Sequence, residues 1–232
     1  MIQTVCLLLI IGVALGCTKV SPPQNSVTGS TAQEQMPSSQ FVATVLRVLE
    51  ENHQSGSLVY RGHCTDSGGI TDSFRVTPPA HNAPSVEAFR QAFVNDPTLT
   101  VKEDSSGMIR VVGGDVQPEL LGVTIHDVKF QEENDPREAT SKLLASPELK
   151  TYMQGHRTEF VTTSGGLVPP ASGRHLNATL TDMTVSQSLD RIAQTFPGVW
   201  IYEECITGQG EKRVEINFHE FSAAASANRQ AE

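Results

Sequence analysis

The sequence contains few cysteines, few aromatic residues and no apolar run long enough to cross a membrane. Its 232 residues include four cysteines and one tryptophan, and its N-terminal apolar stretch is confined to residues 5–15. A transmembrane helix needs about 20 apolar residues, whereas the apolar part of a secretory signal peptide needs only about 7 to 15. The stretch is therefore typical of a cleavable leader.

Positive charge is also scarce. The 17 Lys and Arg residues stand against 26 Asp and Glu residues, which gives a formal charge of -9 at pH 7. The cations are separated from one another except at Lys212-Arg213. Surfaces that bind nucleic acid or anionic lipid need clustered cations. We therefore expect no nucleic-acid partner and no membrane contact through a basic patch.

Catalytic motifs are missing as well. The sequence has no G-x-S-x-G turn, no S-x-x-K and no two histidines four residues apart on a predicted helix. We therefore predict a protein that is not an enzyme, with no catalytic residue, no metal ligand set and no cofactor. The alternative is a secreted hydrolase or metal-dependent enzyme whose distant His, Asp and Glu residues, among them His63, His126 and His219, meet only in the fold.

The segment that follows the apolar stretch contains a cysteine at a plausible cleavage point. Ordinary signal peptidase would cleave after Gly16, because Ala14 and Gly16 are small. The same residues, Ala-Leu-Gly-Cys at 14–17, resemble a bacterial lipobox, and this resemblance implies that Cys17 is the lipid-attached first residue of the mature protein. We expect the lipidated form, anchored at the outer membrane in the periplasm. Free secretion is the alternative.

Cleavage would remove Cys6, and Cys17 would carry the lipid. Cys64 and Cys205 would then be the two remaining thiols. Neither lies in a C-x-x-C motif or at ligand spacing from a histidine, so a disulfide is favoured over metal or redox chemistry. Two unpaired buried thiols are the alternative. A bridge between these residues would close a loop of about 140 residues, with a stabilising effect of about 3 to 5 kcal/mol.

Hydrophobic periodicity predicts an α+β fold. Residues 17–37 are rich in Ser, Thr, Pro and Gln and are predicted to form a flexible tether after the signal peptide, residues 1–16. Residues 38–160 alternate between helical and strand-like apolar spacing, with helix starts at Ser38 or Ser39, Ser85, Asp135 and Ser146. We predict an α+β unit here, with helices packed on an antiparallel or mixed sheet.

A second small layered unit is predicted at residues 174–221. Leu176, Ala178 and Leu180 alternate as in a strand, and Thr184 with Gln187 forms a capping box for the next helix. Pro197-Gly198 ends that helix, and two strands follow it. The predicted order is βαββ, followed by a disordered tail at residues 222–232.

This second unit resembles the short N-terminal domain of secretins and of TonB-dependent outer-membrane receptors. The matching residues are Thr184, Ser188, Leu189, Ile192, Ala193, Pro197, Gly198 and Trp200. In those families the module lies in the periplasm and contacts other proteins. The resemblance therefore implies a non-enzymatic binding or assembly module of the bacterial envelope, with an envelope protein as its unidentified partner and membrane contact only through the lipid anchor.

Two aromatic residues are candidates for the partner surface. Trp200 and Tyr202 alternate with Val199 and Ile201 on one predicted strand, so both faces of that strand carry large side chains. One face has to pack on the helix, and the other is either a contact surface or is buried beneath another layer.

Overall fold

The computed structural model describes residues 35–65, 70–71, 73–75, 85–92, 98–114, 116, 118–161 and 173–222. The predicted signal peptide, the lipid-attachment residue Cys17, most of the tether and the tail from residue 223 onward lie outside this set. The α-helices are α1 (Ser38–Glu51), α2 (Val86–Ala92), α3 (Pro136–Leu144), α4 (Pro147–His156) and α5 (Val185–Thr195), and a short 3-10 helix covers Glu119–Gly122.

The strands that the structure describes are numbered in chain order. They are β1 (Gln35–Pro37), β2 (Gly56–Cys64), β3 (Ile70–Thr71), β4 (Ser73–Arg75), β5 (Leu99–Glu103), β6 (Ile109–Gly113), β7 (Thr124–Glu133), β8 (Thr158–Phe160), β9 (Leu176–Thr184), β10 (Gly198–Ile206) and β11 (Lys212–Glu220).

A mixed central sheet organises the molecule, with strand order β5-β6-β2-β10-β11-β8 and β3 paired to the end of β2. Strands β6, β2 and β10 run parallel to one another, while β5 and β11 pair antiparallel to β6 and β10. Strands β1 and β4 form a separate antiparallel pair, as do β7 and β9. We call the β7–β9 pair the ribbon.

Both faces of the central sheet are covered. The face packed by α1 and α2, here the α1 face, includes Leu58, Val111 and Val199 together with Phe41 and Phe89 of these helices. The opposite face, here the α5 face, packs α3, α5 and the ribbon against side chains of the central strands. The side chains that β2, β10 and β11 contribute to this second core are Val59, Trp200, Tyr202, Val214, Ile216 and Phe218. Alternation along each strand therefore places apolar residues in two cores.

Local signals account for the helix boundaries. Asp135 accepts a hydrogen bond from the Arg137 amide, and Pro136 occupies the first position of α3. Thr184 and Gln187 form the predicted capping box at the start of α5. Each cap satisfies backbone N–H groups that have no partner within the helix.

Two glycines allow the parallel strands to approach their neighbours closely. A Cβ atom on Gly56 would lie 2.3 Å from the carbonyl oxygen of Ile109, and one on Gly198 would lie 2.3 Å from that of His219. These glycines begin β2 and β10, so no larger residue fits at the start of either strand without backbone movement.

The predicted α+β class is confirmed, with sheets of the antiparallel and mixed kinds. The βαββ order at the C-terminus is also present, as β9, α5, β10 and β11. Strands from both predicted units lie in one sheet, because β2 pairs with β10 over eight residue pairs, and β9 pairs with β7 instead of with its own unit. Gln35–Pro37, assigned to the tether from sequence, forms β1 because it pairs with Ser73–Arg75.

Candidate functional site

The carboxyl ends of the parallel strands form a topological switch point. Strands β6 and β10 flank β2. The chain passes through α2 on the α1 face and reaches β6 from β5 by a hairpin within the sheet, whereas it enters β10 from α5 on the α5 face. In parallel α/β sheets, ligands bind outside the carboxyl ends of strands where the connections change face. The candidate site predicted by this rule lies at the end of β2, from Arg61 to Cys64.

A buried charge network lies at this end of the sheet, on the α5 face. The side chain of Glu204 is fully buried, and its Oε1 atom accepts hydrogen bonds from Arg61 Nε at 2.9 Å and Arg61 Nη2 at 2.6 Å. Its Oε2 atom accepts a hydrogen bond from the Tyr202 hydroxyl at 2.6 Å and lies 3.6 Å from Lys212 Nζ. Two cations therefore share one carboxylate. We call Arg61, Tyr202, Glu204 and Lys212 the Glu204 network.

A second layer of polar side chains reaches the network from α4. Tyr152 stacks on His156 with ring centroids 4.0 Å apart, and its hydroxyl donates to Glu119 Oε2 at 3.3 Å. Burial, followed by the charge of Glu119, raises the pKa of Tyr152 to about 12. Burial and the hydrogen bond to Glu204 raise the pKa of Tyr202. Both phenols are therefore neutral donors at physiological pH, so the network has no ionised phenol to act as a base.

The disulfide lies at the same end of the sheet as this network. Cys64 and Cys205 are bonded, with Cα atoms 5.2 Å apart and 141 positions apart in sequence. Because Cys205 follows Glu204 on β10 and pairs with Gly62 in the β2–β10 register, the bridge ties together the same two strand ends as the Arg61–Glu204 ion pair. The predicted disulfide is confirmed.

A carboxyl pair occupies the α1 face of the same strands. Glu203 of β10 and Glu215 of β11 are direct cross-strand partners, and Tyr60 of β2 hydrogen-bonds Glu203. Burial, with the adjacent Glu215 carboxylate adding to it, raises the pKa of Glu203 to about 7. The Glu203 carboxyl therefore titrates near neutral pH.

A concave feature lies at the opposite end of the sheet. It is a cavity of about 460 Å³ at the amino ends of β2, β6 and β10, here the amino-end cavity. Its lining residues are His53, Gln54, Ser55, Ser106, Gly107, Met108, Arg174, Ala193, Gln194, Pro197 and Phe221. Its volume is in the range of cavities that hold small ligands.

The proposed partner surface is corrected by the structure. Trp200 is 1% exposed and Tyr202 is 0% exposed, so neither side chain can contact a partner at the surface. Both point to the α5 face, where Trp200 Nε1 donates to Asp190 Oδ1 at 2.8 Å and Tyr202 donates to Glu204. Helix α5 and the ribbon cover this face. The capping box starts α5 immediately after β9, which is a strand of the ribbon.

The fold does not bring His63, His126 and His219 together. In the β10 register His63 pairs with Ile206 and His219 pairs with Val199, so they are seven residues, or about 23 Å, apart along that strand. His126 lies on the ribbon, where its Nδ1 atom is 2.8 Å from Asp182 Oδ1, and this contact raises the pKa of His126. Among the described residues, no group of three or more His, Cys, Asp or Glu side chains is arranged to hold a metal ion.

Sequence reasoning missed Glu204, Arg61 and Lys212 as a unit, although one signal was present. Strand alternation puts Glu204 on the same face as Trp200 and Tyr202, and a carboxylate on a buried face needs a partner. Arg61 is 143 residues away from Glu204 in sequence, so no local pattern could identify it as that partner.

No helix in the described part of the chain is long and apolar enough to cross a membrane. Comparisons with protein-family models, with curated proteins and with solved structures gave no match.

Proposed function

We propose that this protein is an exported, lipid-anchored and non-enzymatic binding or assembly module of the bacterial envelope. The observation that carries the proposal is the Cys64–Cys205 disulfide, which ties strands β2 and β10 together. Disulfides of this structural kind persist in the periplasm and outside the cell, whereas cytosolic thiols are kept reduced. A leader-like apolar stretch at residues 5–15 and Cys17 after a small-residue cleavage site agree with this compartment.

The chemistry of the described residues supports binding over catalysis. Glu204 is paired with Arg61, Lys212 and Tyr202, and these contacts use both of its oxygens. His126 pairs with Asp182 on the ribbon, far in sequence from the network. A protein of this kind acts by presenting a rigid surface to an envelope protein, as the short N-terminal modules of secretins do.

Metabolic labelling tests the anchor. Cells that produce the protein are fed an alkyne analogue of palmitate, and the purified chain is probed for the label in the wild type and in Cys17→Ser. We expect label on the wild type and none on Cys17→Ser, with the wild type in the outer-membrane fraction. If the wild type carries no label and is recovered from the medium, the protein is secreted and is not anchored by a lipid.

Thiol alkylation of the same material tests the compartment. Protein that is denatured in iodoacetamide without reductant should leave Cys64 and Cys205 unmodified, and both should react after reduction. Two alkylated cysteines before reduction, together with an uncleaved leader, would overturn the proposal.

A further inference from the structure

We propose that two copies of this chain pair through the outer edge of strand β9, so that their two ribbons join in one four-stranded antiparallel sheet. The proposal goes beyond the binding function above, because it names a surface and its occupant and does not depend on the lipid anchor. Three features of β9 support it: backbone groups that face outward, an edge without protective residues, and charges that complement themselves about one residue.

Every second residue of β9 directs its backbone groups away from the ribbon. The amide of Val185 donates to the carbonyl of Val123 at 2.9 Å, which marks a hydrogen-bonded pair of the antiparallel ladder. Such pairs alternate with pairs whose N–H and C=O groups point outward. In the described part of the chain, β7 is the one strand that pairs with β9. The outward positions of β9 are Leu176, Ala178, Leu180, Asp182 and Thr184.

Three of these outward positions are suited to pairing with a further strand. The Thr184 amide is already used, because it donates to Gln187 Oε1 at 2.9 Å in the capping box. Asp182 has a left-handed φ of 52°, which interrupts the extended backbone. The remaining positions are Leu176, Ala178 and Leu180. Their side chains belong to the core on the α5 face, so a strand could add to their backbone groups without moving that core.

The edge has none of the residues that usually keep a further strand away. The nine residues of β9, Leu-Asn-Ala-Thr-Leu-Thr-Asp-Met-Thr, include no Lys, Pro or Gly, and Asp182 is their one charge. By contrast, β5 at one edge of the central sheet carries Lys102 and Glu103, and β8 at the other edge is three residues long. A ribbon of two strands also gains stability from additional strands. Strand β9 is therefore suited to β-strand addition.

The charges beside β9 favour a second copy as the occupant. Lys129 of β7 is the cross-strand partner of Thr179, and the Asn177 side chain binds Glu132. With Ala178 on the two-fold axis, Thr179 of one copy lies opposite Asn177 of the other. Each Lys129 then shares a cross-strand row with Glu132 of the other copy, about 14 Å away at Cα. The same strand therefore supplies both halves of a complementary, isologous contact.

Neighbouring registers are less favourable than the one centred on Ala178. An axis at Thr179 would place the two Lys129 residues in one row, and like charges in a row disfavour pairing. An axis at Leu180 would require Asp182, with its left-handed φ, to pair with Ala178. An axis at Ala178 uses only the three regular outward positions, because Leu176 of one copy then meets Leu180 of the other.

Sedimentation equilibrium of the oxidised, purified chain tests the pairing. Three hydrogen-bonded positions per copy make a small interface, so we expect a dissociation constant of about 0.1 mM for the wild-type dimer. Thr179→Glu should weaken dimerisation at least tenfold, because the new carboxylate pairs with Lys129 in the monomer but lies near Glu132 of the other copy in the dimer. Thr100→Glu is the matched control on the exposed edge of β5 and should dimerise as the wild type does.

A second variant removes a hydrogen bond without changing charge. Ala178→Pro deletes the N–H group on the two-fold axis, and proline is tolerated in an edge strand where the N–H faces outward. We expect this variant to remain monomeric while its circular dichroism spectrum matches that of the wild type.

Cross-linking tests the register. In a Cys17→Ser background, Asn177→Cys and Thr179→Cys proteins are oxidised separately and as a mixture. Residues 177 and 179 of opposite copies form a non-hydrogen-bonded pair with Cα atoms about 4.5 Å apart, within the range of a disulfide. The mixture should therefore give a cross-linked heterodimer faster than either protein forms a homodimer.

Several results would overturn the inference. One is a wild type with its native melting temperature that stays monomeric up to about 1 mM. Another is a dimer that neither Thr179→Glu nor Ala178→Pro weakens, because it would use a different surface. Equal cross-linking in the separate and mixed samples would refute the register centred on Ala178. Dimerisation in these assays does not require the lipid, so a failed lipid label and a failed dimerisation are separate outcomes.

Discussion

At the residue scale, a buried ion pair links β2 to β10 near the carboxyl ends of both strands. Glu204 is fully buried, and Arg61 approaches it with two N–H groups on one oxygen. The Tyr202 hydroxyl satisfies the other oxygen, and Lys212 lies 3.6 Å from it. Taking a carboxylate out of water is costly unless it is paired, so each partner is necessary for the others to remain buried.

Replacing Arg61 by Met should leave the Glu204 carboxylate without its main partner. We expect the free energy of unfolding to fall by about 3 kcal/mol, measured by urea denaturation, because one member of a buried ion pair is removed. The double variant Arg61→Met/Glu204→Gln should recover at least half of that loss, since the charge is then absent. Arg47→Met, at an exposed ion pair with Glu51, should change stability by less than about 0.5 kcal/mol. No recovery in the double variant would show that Arg61 acts through packing instead.

The carboxyl pair on the α1 face should make stability depend on pH. The pKa of Glu203 rises from 4.5 in the unfolded chain to about 7 in the fold, so between these values the folded state holds more protons. Stability should therefore fall as pH rises from about 5 to 8, by about 1 to 2 kcal/mol after solvent screening, relative to Glu203→Gln. Urea denaturation of both proteins across this range is the measurement. If the free energies of unfolding of the wild type and Glu203→Gln change equally over this pH range, the raised pKa of Glu203 is contradicted.

At the element scale, one arginine fastens α5 to the central sheet. Arg110 of β6 binds Asp190 of α5 with Nη1 at 2.6 Å and Nη2 at 2.8 Å, and it also binds Asp104 at the β5–β6 turn. Trp200 Nε1 of β10 donates at 2.8 Å to Asp190 Oδ1, the oxygen that also accepts from Arg110 Nη1. The helix, the hairpin and the central strand are therefore joined at one partly buried point, which is geometrically more specific than an apolar contact.

Asp190→Asn should weaken this junction. We expect a loss of about 2 kcal/mol in the free energy of unfolding and faster hydrogen exchange along α5, because Arg110 loses one of its two anionic partners while partly buried. Asp182→Asn is the matched control, since Asp182 pairs with His126 at a surface where both side chains are about 70% exposed. Equal effects of the two substitutions would mean that the Arg110 junction adds nothing beyond a surface ion pair.

At the scale of the whole molecule, the central sheet joins distant parts of the chain. The β2–β10 pairing brings together segments near residues 60 and 200, and the Cys64–Cys205 bridge secures it. Covalent closure of a loop this long restricts the unfolded chain, which raises the free energy of unfolding.

The double variant Cys64→Ala/Cys205→Ala should be less stable than the wild type by about 3 to 5 kcal/mol. Urea denaturation of the oxidised proteins measures this, and reductant should lower the wild type toward the variant. Cys17→Ser, which keeps both bridging residues, should match the wild type. A wild type that is unaffected by reductant, with the bridge shown by mass spectrometry to be open, would contradict a stabilising role.

Much of the local structure could be predicted from short stretches of the chain. The capping box at Thr184 and Gln187 starts α5, Asp135 and Pro136 start α3, and the polar turn after Glu103 closes the β5–β6 hairpin. Each of these features depends on residues within a few positions of one another. Cysteine arithmetic also left Cys64 and Cys205 as the one pair able to bridge.

The sequence by itself therefore determined where α3, α5 and the β5–β6 hairpin begin, the α+β class and the two ends of the disulfide, because those properties follow from neighbouring residues and from simple counting. The tertiary structure alone decided that β10 lies beside β2, that Trp200 is buried instead of exposed, and that Arg61 is the partner of Glu204. It also decided that Arg174 and Phe221 border one cavity. The physical reason is that these contacts join segments tens to more than a hundred residues apart. Their energies depend on how the layers pack, and the hydrophobic periodicity along the chain does not determine that packing.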